Sequence, residues 1–358
     1  MQPLTIRLET SPLHSQHQSG VARYTYLLRK ALQESKDCQL TTTATPFPSL
    51  RVYAKLQSYG LAWPFDLSLS KVDLTIFPNF ATWPTIKSNR TATVIHDLTY
   101  LYFPEIVEAK NLAHLRRVVP RSVKKADFII TVSEAVKAEI LKEFNISPEK
   151  CIVTPIPPDE TFFETVPAET IQQVKEKYSL SPTKQYIYFI GNLEPRKNLT
   201  TLIQAYCLLP QHLKEQYSLV LAGGKGWKTE ATQQALSEAV EVGEDIKHIG
   251  FIDQADSAAL YQGAALFTMP SLYEGFGMPV LEAMASGTPV VAADIPVLRE
   301  VGDTYATYAD PRNPQAFADA LVASLETPRP PREALQENVR RYSWEANVQT
   351  ILKCYTEA

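Results

Sequence analysis

Glu274-Gly-Phe-Gly-Met-Pro-Val-Leu-Glu282 places two carboxylates at the ends of a glycine-rich loop that opens into a helix. The run before it, Ala265-Leu-Phe-Thr-Met-Pro270, reads as a short buried strand. Pro279 suits a first helical position, where its fixed φ is already right and its missing N–H is not needed. The pattern predicts a short helix ending with Met284 and Ala285, a left-handed cap at Gly287, then a strand Val290-Val-Ala-Ala293. Gly275 and Gly277 let backbone N–H groups approach a ligand closely. A helix N-terminus favours anions, so a phosphate or sugar phosphate is expected there. Two carboxylates would repel a phosphate unless they serve hydroxyl groups. Glutamate accepts hydrogen bonds from sugar and ribose hydroxyls, so a nucleotide sugar fits better than a bare nucleotide.

A second block lies upstream. Tyr186-Ile-Tyr-Phe-Ile190 is a β-branched and aromatic run, hence a strand, and it leads into Gly191-Asn-Leu-Glu-Pro-Arg-Lys-Asn198. A helix over 199–209 is predicted to follow, with Asn198 as its N-cap. Arg196 and Lys197 then sit at the carboxyl end of a strand, where open α/β sheets take ligands. The alternative for this pair is a solvated surface position. Leu219-Val-Leu-Ala222 is a further strand, running into Gly223-Gly224, which is either a plain turn or a ligand-facing one. Ile246-Lys-His-Ile-Gly250 leads to Phe251-Ile252.

The complete string, from the paired glutamates through Ala283-Met-Ala-Ser-Gly-Thr-Pro-Val290, resembles glycosyltransferase family 4. The resemblance implies a retaining enzyme of the GT-B architecture, with two Rossmann-like, doubly wound parallel-sheet α/β domains facing across a cleft. It implies that Arg196 and Lys197 hold the donor diphosphate, and that Glu282 takes the ribose hydroxyls. The 274–277 loop, with Glu274, Gly275, Phe276 and Gly277, would grip the sugar, and Met278 and Pro279 would complete the donor site. Gly223 would face the donor, and the backbone of Ile252 would lie near the base. The chemistry agrees, because a leaving nucleoside diphosphate gains charge as the glycosidic bond breaks and two fixed cations stabilise it. No Asp-x-Asp, the metal-holding motif of the other large glycosyltransferase architecture, occurs in the chain, and the six histidines are scattered. Transfer without a metal or other cofactor is therefore expected.

The first half carries thinner signals. Leu4-Thr-Ile-Arg-Leu8 alternates as an opening strand, and a helix over 21–36 follows a polar loop, with Val21, Tyr24, Leu27, Leu28, Ala31 and Leu32 as its apolar face. Ser19-Gly-Val-Ala-Arg-Tyr24 resembles the family's glycine-rich acceptor and phosphate loop, but Ala22 stands where a second glycine would be, leaving Gly20 as the candidate. Gly20 is otherwise an ordinary helix start. Thr91-Ala-Thr-Val-Ile95 is a strand ending in His96-Asp97, followed by Tyr100, Tyr102 and Phe103. In the family such a His–Asp pair lies by the transferred sugar, so His96 is the catalytic candidate and Asp97 either orients the imidazole or contacts acceptor. Ala126-Asp-Phe-Ile-Ile-Thr-Val-Ser-Glu134 is a strand whose Ser133 caps the next helix. The loop and the stretch His96-Asp-Leu-Thr-Tyr-Leu-Tyr-Phe-Pro-Glu105 most resemble bacterial mannosyltransferases of polysaccharide assembly, which favours GDP-mannose as donor, with UDP-linked hexoses next, and implies a glycan or lipid-linked glycan as acceptor.

Composition frames these motifs. The 358 residues, 45% of them hydrophobic, suffice for two domains, and alternating strands and helices predict parallel sheets. Pro155, Pro157, Pro158, Pro167 and Pro182 set the expected divide, giving an acceptor-side domain over 1–165 and a donor-binding domain over 166–340. By resemblance, the amphipathic helix in 341–358 crosses back to the first domain. Four dispersed cysteines, no signal-like start and no membrane-length apolar run lead to the expectation of a cytoplasmic protein. Residues 1–165 carry 19 Lys and Arg against 16 Asp and Glu, and the remainder carries 16 against 23. The basic residues gather at Arg116, Arg117, Arg121, Lys124 and Lys125, interleaved with Leu115, Val118, Val119 and Val123. This helix either touches anionic lipid at the inner face of the membrane or packs its apolar side on the sheet, with Pro120 interrupting the stripe. A mildly acidic balance does not suggest a nucleic-acid partner. Two other classes fit the chain less well. A nicotinamide oxidoreductase needs a G-x-G-x-x-G after the first strand, and none is there. A non-catalytic sugar-nucleotide binder is opposed by the intact Glu274, Glu282, Arg196 and Lys197.

Overall fold

The structure is a computed structural model that describes residues 3–14, 20–44 and 64–357. Two compact units emerge, Met1–Ile156 with Tyr342–Ala358, and Pro157–Arg341. Each is built on a six-stranded sheet whose described pairings are all parallel.

In the first unit the strands are β1 (Leu4–Glu9), β2 (Cys38–Thr43), β3 (Val72–Phe77), β4 (Ser88–Val94), β5 (Phe128–Thr131) and β6 (Cys151–Val153), ordered β2-β1-β3-β4-β5-β6. The chain reverses its direction of travel across the sheet between β1 and β3, which makes that the switch point. Every residue of β5 is buried, as expected of a strand covered on both faces. The helix Glu134–Phe144 begins as expected, with the Ser133 hydroxyl accepting from the Val136 N–H at 3.1 Å.

The basic helix runs unbroken over Ala109–Lys125, so Pro120 does not interrupt it. Pro120 and Arg116, whose carbonyl loses its helical donor, are both exposed, so the lost bond lies on the wet side of the helix. Val118, Val119 and Val123 are buried, and Leu112 and Leu115 pack on the same core. The stripe that would insert into a bilayer is thus spent inside the unit, while Arg116, Arg117, Arg121, Lys124 and Lys125 are exposed. Among the described residues, no helix is long and apolar enough to cross a membrane.

In the second unit the strands are β7 (Gln185–Ile190), β8 (Tyr217–Ala222), β9 (Ile246–Gly250), β10 (Leu266–Met269), β11 (Val290–Ala293) and β12 (Ala306–Ala309). Their order, β12-β11-β10-β7-β8-β9, is that of a doubly wound nucleotide-binding sheet, with the switch point between β7 and β10. β10 and β11 are buried throughout.

The division falls between Ile156 and Pro157, not at 165/166 as expected. Side chains of the second unit hold the intervening segment: the Arg332 guanidinium donates to the carbonyls of Phe163 and Glu164 at 3.0 and 2.8 Å, and Phe162 meets Tyr261 edge to face. The helix Trp344–Glu357 belongs to the first unit, where Trp344 lies against Tyr24 and the Asn347 amide donates to the Pro155 carbonyl at 2.6 Å.

Candidate active site

The two signature segments meet at the β7/β10 switch point. After β7 the chain makes a 3-10 turn, Pro195–Lys197, closed by the Lys197 N–H on the Glu194 carbonyl. After β10 it runs to Glu274, and the Leu272 N–H donates to the Arg196 carbonyl at 2.8 Å, tying one loop to the other. Asn198 then adopts a left-handed conformation (φ 57°), which asparagine tolerates better than most residues. It holds the expected N-cap position, but its side chain makes no capping hydrogen bond. Its side-chain amide donates instead to the carbonyls of Pro270 and Pro311, at 3.0 and 2.6 Å, and its oxygen accepts from the Thr201 hydroxyl. Left-handed backbone turns the side chain away from the helix axis, so the residue pins three loops rather than capping one helix.

This scaffold supports a four-membered charge cluster. Glu274 accepts from Arg196 Nη1 at 2.6 Å and from Lys197 Nζ at 2.7 Å, one cation on each carboxylate oxygen. On its other side Arg196 donates through Nε and Nη2 to Glu194 Oε1, at 3.1 and 2.7 Å, and Nη1 also reaches the Tyr273 carbonyl. Glu194, Lys197 and Glu274 are all buried, and Arg196 is half-buried. Burial alone would raise the Glu274 carboxyl, but Arg196 and Lys197 overcome it and hold the group at about 2. Burial pulls the Lys197 ammonium below its ordinary value, with Glu274 opposing that shift.

Glycines shape the neighbouring backbone. The loops after β7 and β8 zip together through Leu193 N–H to Gly224 carbonyl and Gly226 N–H to Leu193 carbonyl. At Gly223, φ is +124° and an added Cβ would lie 2.0 Å from the Gly191 oxygen, so loop packing alone demands glycine there. Gly277 (φ +105°) precedes the helix Met278–Ala285, in which Pro279 is the second residue, not the first. Phe276 is part of the buried core, while Gly275, Met278 and Pro279 are half-buried. Glu282 lies one helical stretch further on, 4% exposed, and accepts from the Tyr261 hydroxyl at 2.9 Å. Ile252 is half-buried just past β9, beside an exposed Phe251 that lies over Gly224.

The first unit's carboxyl rim differs in character. His96 follows β4, and its Nε2 lies 2.8 Å from the Pro78 carbonyl at the end of β3. A carbonyl can only accept, so Nε2 carries the proton and Nδ1 the lone pair. Burial lowers the imidazole pKa, with the Pro78 carbonyl and Asp97 opposing, and Tyr24 and Phe80 meet the ring edge to face. Pro78, and not Asp97, thus supplies the hydrogen bond that orients the imidazole. Asp97 Oδ1 accepts from the Thr99 N–H at 2.9 Å, starting the next short helix. Gly20 opens the helix Gly20–Glu34, and an added Cβ there meets no described atom within 4 Å. Ser19, the first residue of the expected glycine-rich loop, lies outside the described residues.

Residues 170–342, which contain both signature segments, match the family described as glycosyl transferases group 1. O-antigen chain mannosyltransferase B of Escherichia coli is 32% identical over 278 residues, taking in 76% of this chain and 72% of that protein. The chain belongs to the group 1 glycosyl transferases. The Salmonella typhimurium O-antigen chain mannosyltransferase RfbU is 30% identical over 233 residues, 65% of this chain and 60% of that one. Among solved structures, Anabaena Alr3699/HepE in complex with UDP and glucose superposes with a TM-score of 0.72, at 16% identity, over 99% of this chain and 100% of that one. That likeness establishes the GT-B fold, two Rossmann-like units in one chain.

In this transferase the residues expected at the donor diphosphate, Arg196 and Lys197, come together with Glu274 in one ion-paired cluster. Glu282 is separate from that cluster, paired instead with Tyr261, and His96 belongs to the other unit. Glu194 was missed. Its spacing, two residues before Arg196 and next to a proline, marks a tight turn in which side chains i and i+2 can meet, and that was the available signal. Among the described residues no group of three or more His, Cys, Asp and Glu side chains is placed to hold a metal.

Proposed function

We propose that this glycosyl transferase is a retaining member of family 4 that moves mannose from GDP-mannose to a hydroxyl of a glycan or lipid-linked glycan. The observation that carries the reading is the Arg196–Lys197 pair at the β7/β10 switch point, buried or half-buried and held by hydrogen bonds. Cations positioned before the reaction stabilise charge as it develops, without reorganising. The O-antigen mannosyltransferases among the relatives favour mannose, and the Anabaena protein crystallised with UDP and glucose supports a nucleotide-sugar donor.

In this reading Arg196 and Lys197 take the diphosphate, Glu274 with the 275–279 backbone takes sugar hydroxyls, and Glu282 takes ribose. His96 contacts the transferred sugar near its reacting face, and Gly20 and Asp97 serve the acceptor and phosphate loop. The bond from the anomeric carbon to the diphosphate oxygen breaks as the acceptor oxygen attacks from the same face. The acceptor proton passes to the departing phosphate oxygen, which serves as base, so no protein nucleophile is required. Two cations carry out the neutralisation that a metal performs in other transferases. Nucleotide sugars place the reaction in the cytoplasm, and the exposed cations of Ala109–Lys125 suit electrostatic contact with an anionic bilayer carrying the acceptor.

A thermal-shift panel of GDP-mannose, UDP-glucose, UDP-N-acetylglucosamine, UDP-galactose and NAD, with and without EDTA, tests the core of this reading. Stabilisation by GDP-mannose that survives EDTA is the expected result, since a ligand of the native state raises the melting temperature. A shift with uridine nucleotides alone would replace the donor, and loss of the shift with EDTA would overturn metal independence. Co-sedimentation with anionic vesicles at low salt tests the membrane contact.

A further inference from the structure

Arg196 is held on two sides by carboxylates of different standing. Glu274 bridges Arg196 and Lys197, whereas Glu194 pairs with Arg196, through both Nε and Nη2. The 3-10 turn Pro195–Lys197 folds Arg196 back over Glu194, and the same turn is closed by the Glu194 carbonyl. Glu194 is 7% exposed, so its hold is shielded from water and salt. A long side chain such as arginine otherwise loses its orientation to rotamer freedom.

The charge count gives this contact a cost. With Glu274 alone the two cations would leave the rim at +1, and Glu194 brings it to zero. A group that orients a cation by cancelling it weakens attraction for an anion while sharpening geometry. We propose that Glu194 is a positioning residue for sugar transfer: it fixes the Arg196 guanidinium for the leaving diphosphate at the expense of nucleotide affinity. This rests on the assignment of Arg196 and Lys197 to the diphosphate.

The test measures GDP affinity by calorimetry and GDP release from GDP-mannose for wild type, Glu194→Gln, Glu194→Ala and Arg196→Ala. Glutamine keeps an acceptor oxygen but not the charge, so E194Q is expected to bind GDP about 3- to 10-fold more tightly. E194A loses both, and its kcat is expected to fall about 10- to 100-fold without any loss of GDP affinity, since small misplacements of a catalytic group carry costs of that order. E194Q should retain about 10-fold more turnover than E194A, a rescue that a merely structural role would not give. Wild-type affinity and wild-type kcat in both variants would overturn the positioning role while R196A still weakened GDP binding. R196A binding GDP like wild type would instead sink the diphosphate assignment, and this proposal with it. If E194A does not fold, E194Q decides alone, and unchanged GDP affinity there would count as refutation.

Discussion

At the carboxyl ends of β7 and β10, the charges of Glu194, Arg196, Lys197 and Glu274 cancel by pairing, whereas at the ends of β1 and β4 burial shifts the titratable groups toward their neutral forms. Burial, only partly offset by hydrogen bonds from Ser11, raises Glu9 to about 7, and burial lowers His96. Both rims belong to parallel sheets with a switch point, so topology alone does not separate them. What separates them is the supply of compensating charge. The second unit puts two cations within hydrogen-bond reach of a buried carboxylate, while the first surrounds an imidazole with aromatic rings and one backbone carbonyl. A rim of the first kind suits a diphosphate, and one of the second kind suits neutral hydroxyls.

Removing a cation gives the largest break. Lys197→Ala is expected to lower turnover on the order of 100-fold or more, as for loss of one preorganised donor to developing charge. GDP release from GDP-mannose measures it, and a wild-type rate would mean that the charged rim is structural only.

The two carboxylates should answer pH in opposite senses. Glu274, at about 2 against an ordinary 4.5, stabilises the fold fully above about pH 4.5 and loses that contribution as pH falls toward 2, about 3 kcal/mol in all. Glu9, at about 7 against the same 4.5, contributes fully below about pH 4.5 and loses about 3 kcal/mol as pH rises through 7. Urea midpoints across pH 3 to 8 should therefore flatten on the acid side in Glu274→Gln and rise above wild type at pH 8 in Glu9→Gln. Parallel profiles for both variants and wild type would erase the contrast between the rims.

Glycines sharpen the comparison at smaller scale. Gly223→Ala should cost about 1–3 kcal/mol, because the new Cβ is forced onto the Gly191 oxygen in a backbone conformation alanine resists. Gly20→Ala should stay within about 0.5 kcal/mol in melting experiments, since no described atom lies within reach of the Cβ. Equal costs would mean that Gly20 has a packing role.

Much of the second unit was legible in the chain. Apolar runs ending in glycine or proline marked β7, β8 and β10, a run just after Gly287 marked β11, and Pro279 and Gly287 bracketed the helix Met278–Ala285 within a residue or two. These signals are local, so sequence spacing carries them. What spacing does not carry are bonds to partners distant in sequence. Asn198 stands at the N-cap, but its amide's partners, Pro270 and Pro311, lie 72 and 113 positions on. Asp97 looked like the histidine's orienting group by adjacency, while the bond came from Pro78. The proline-rich stretch 155–182 contains the division, but its place there depends on Arg332, 169 positions after Phe163.

The return of Tyr342–Ala358 to the first unit has a consequence for synthesis. Domains generally begin to fold as they leave the ribosome, at about 5–20 residues per second. Here the unit begun first lacks the helix bearing Trp344 and Asn347 until Pro157–Arg341 has been translated, so that second unit is complete before it. The second unit can therefore mature first, while the unit that emerged earlier waits for its final helix.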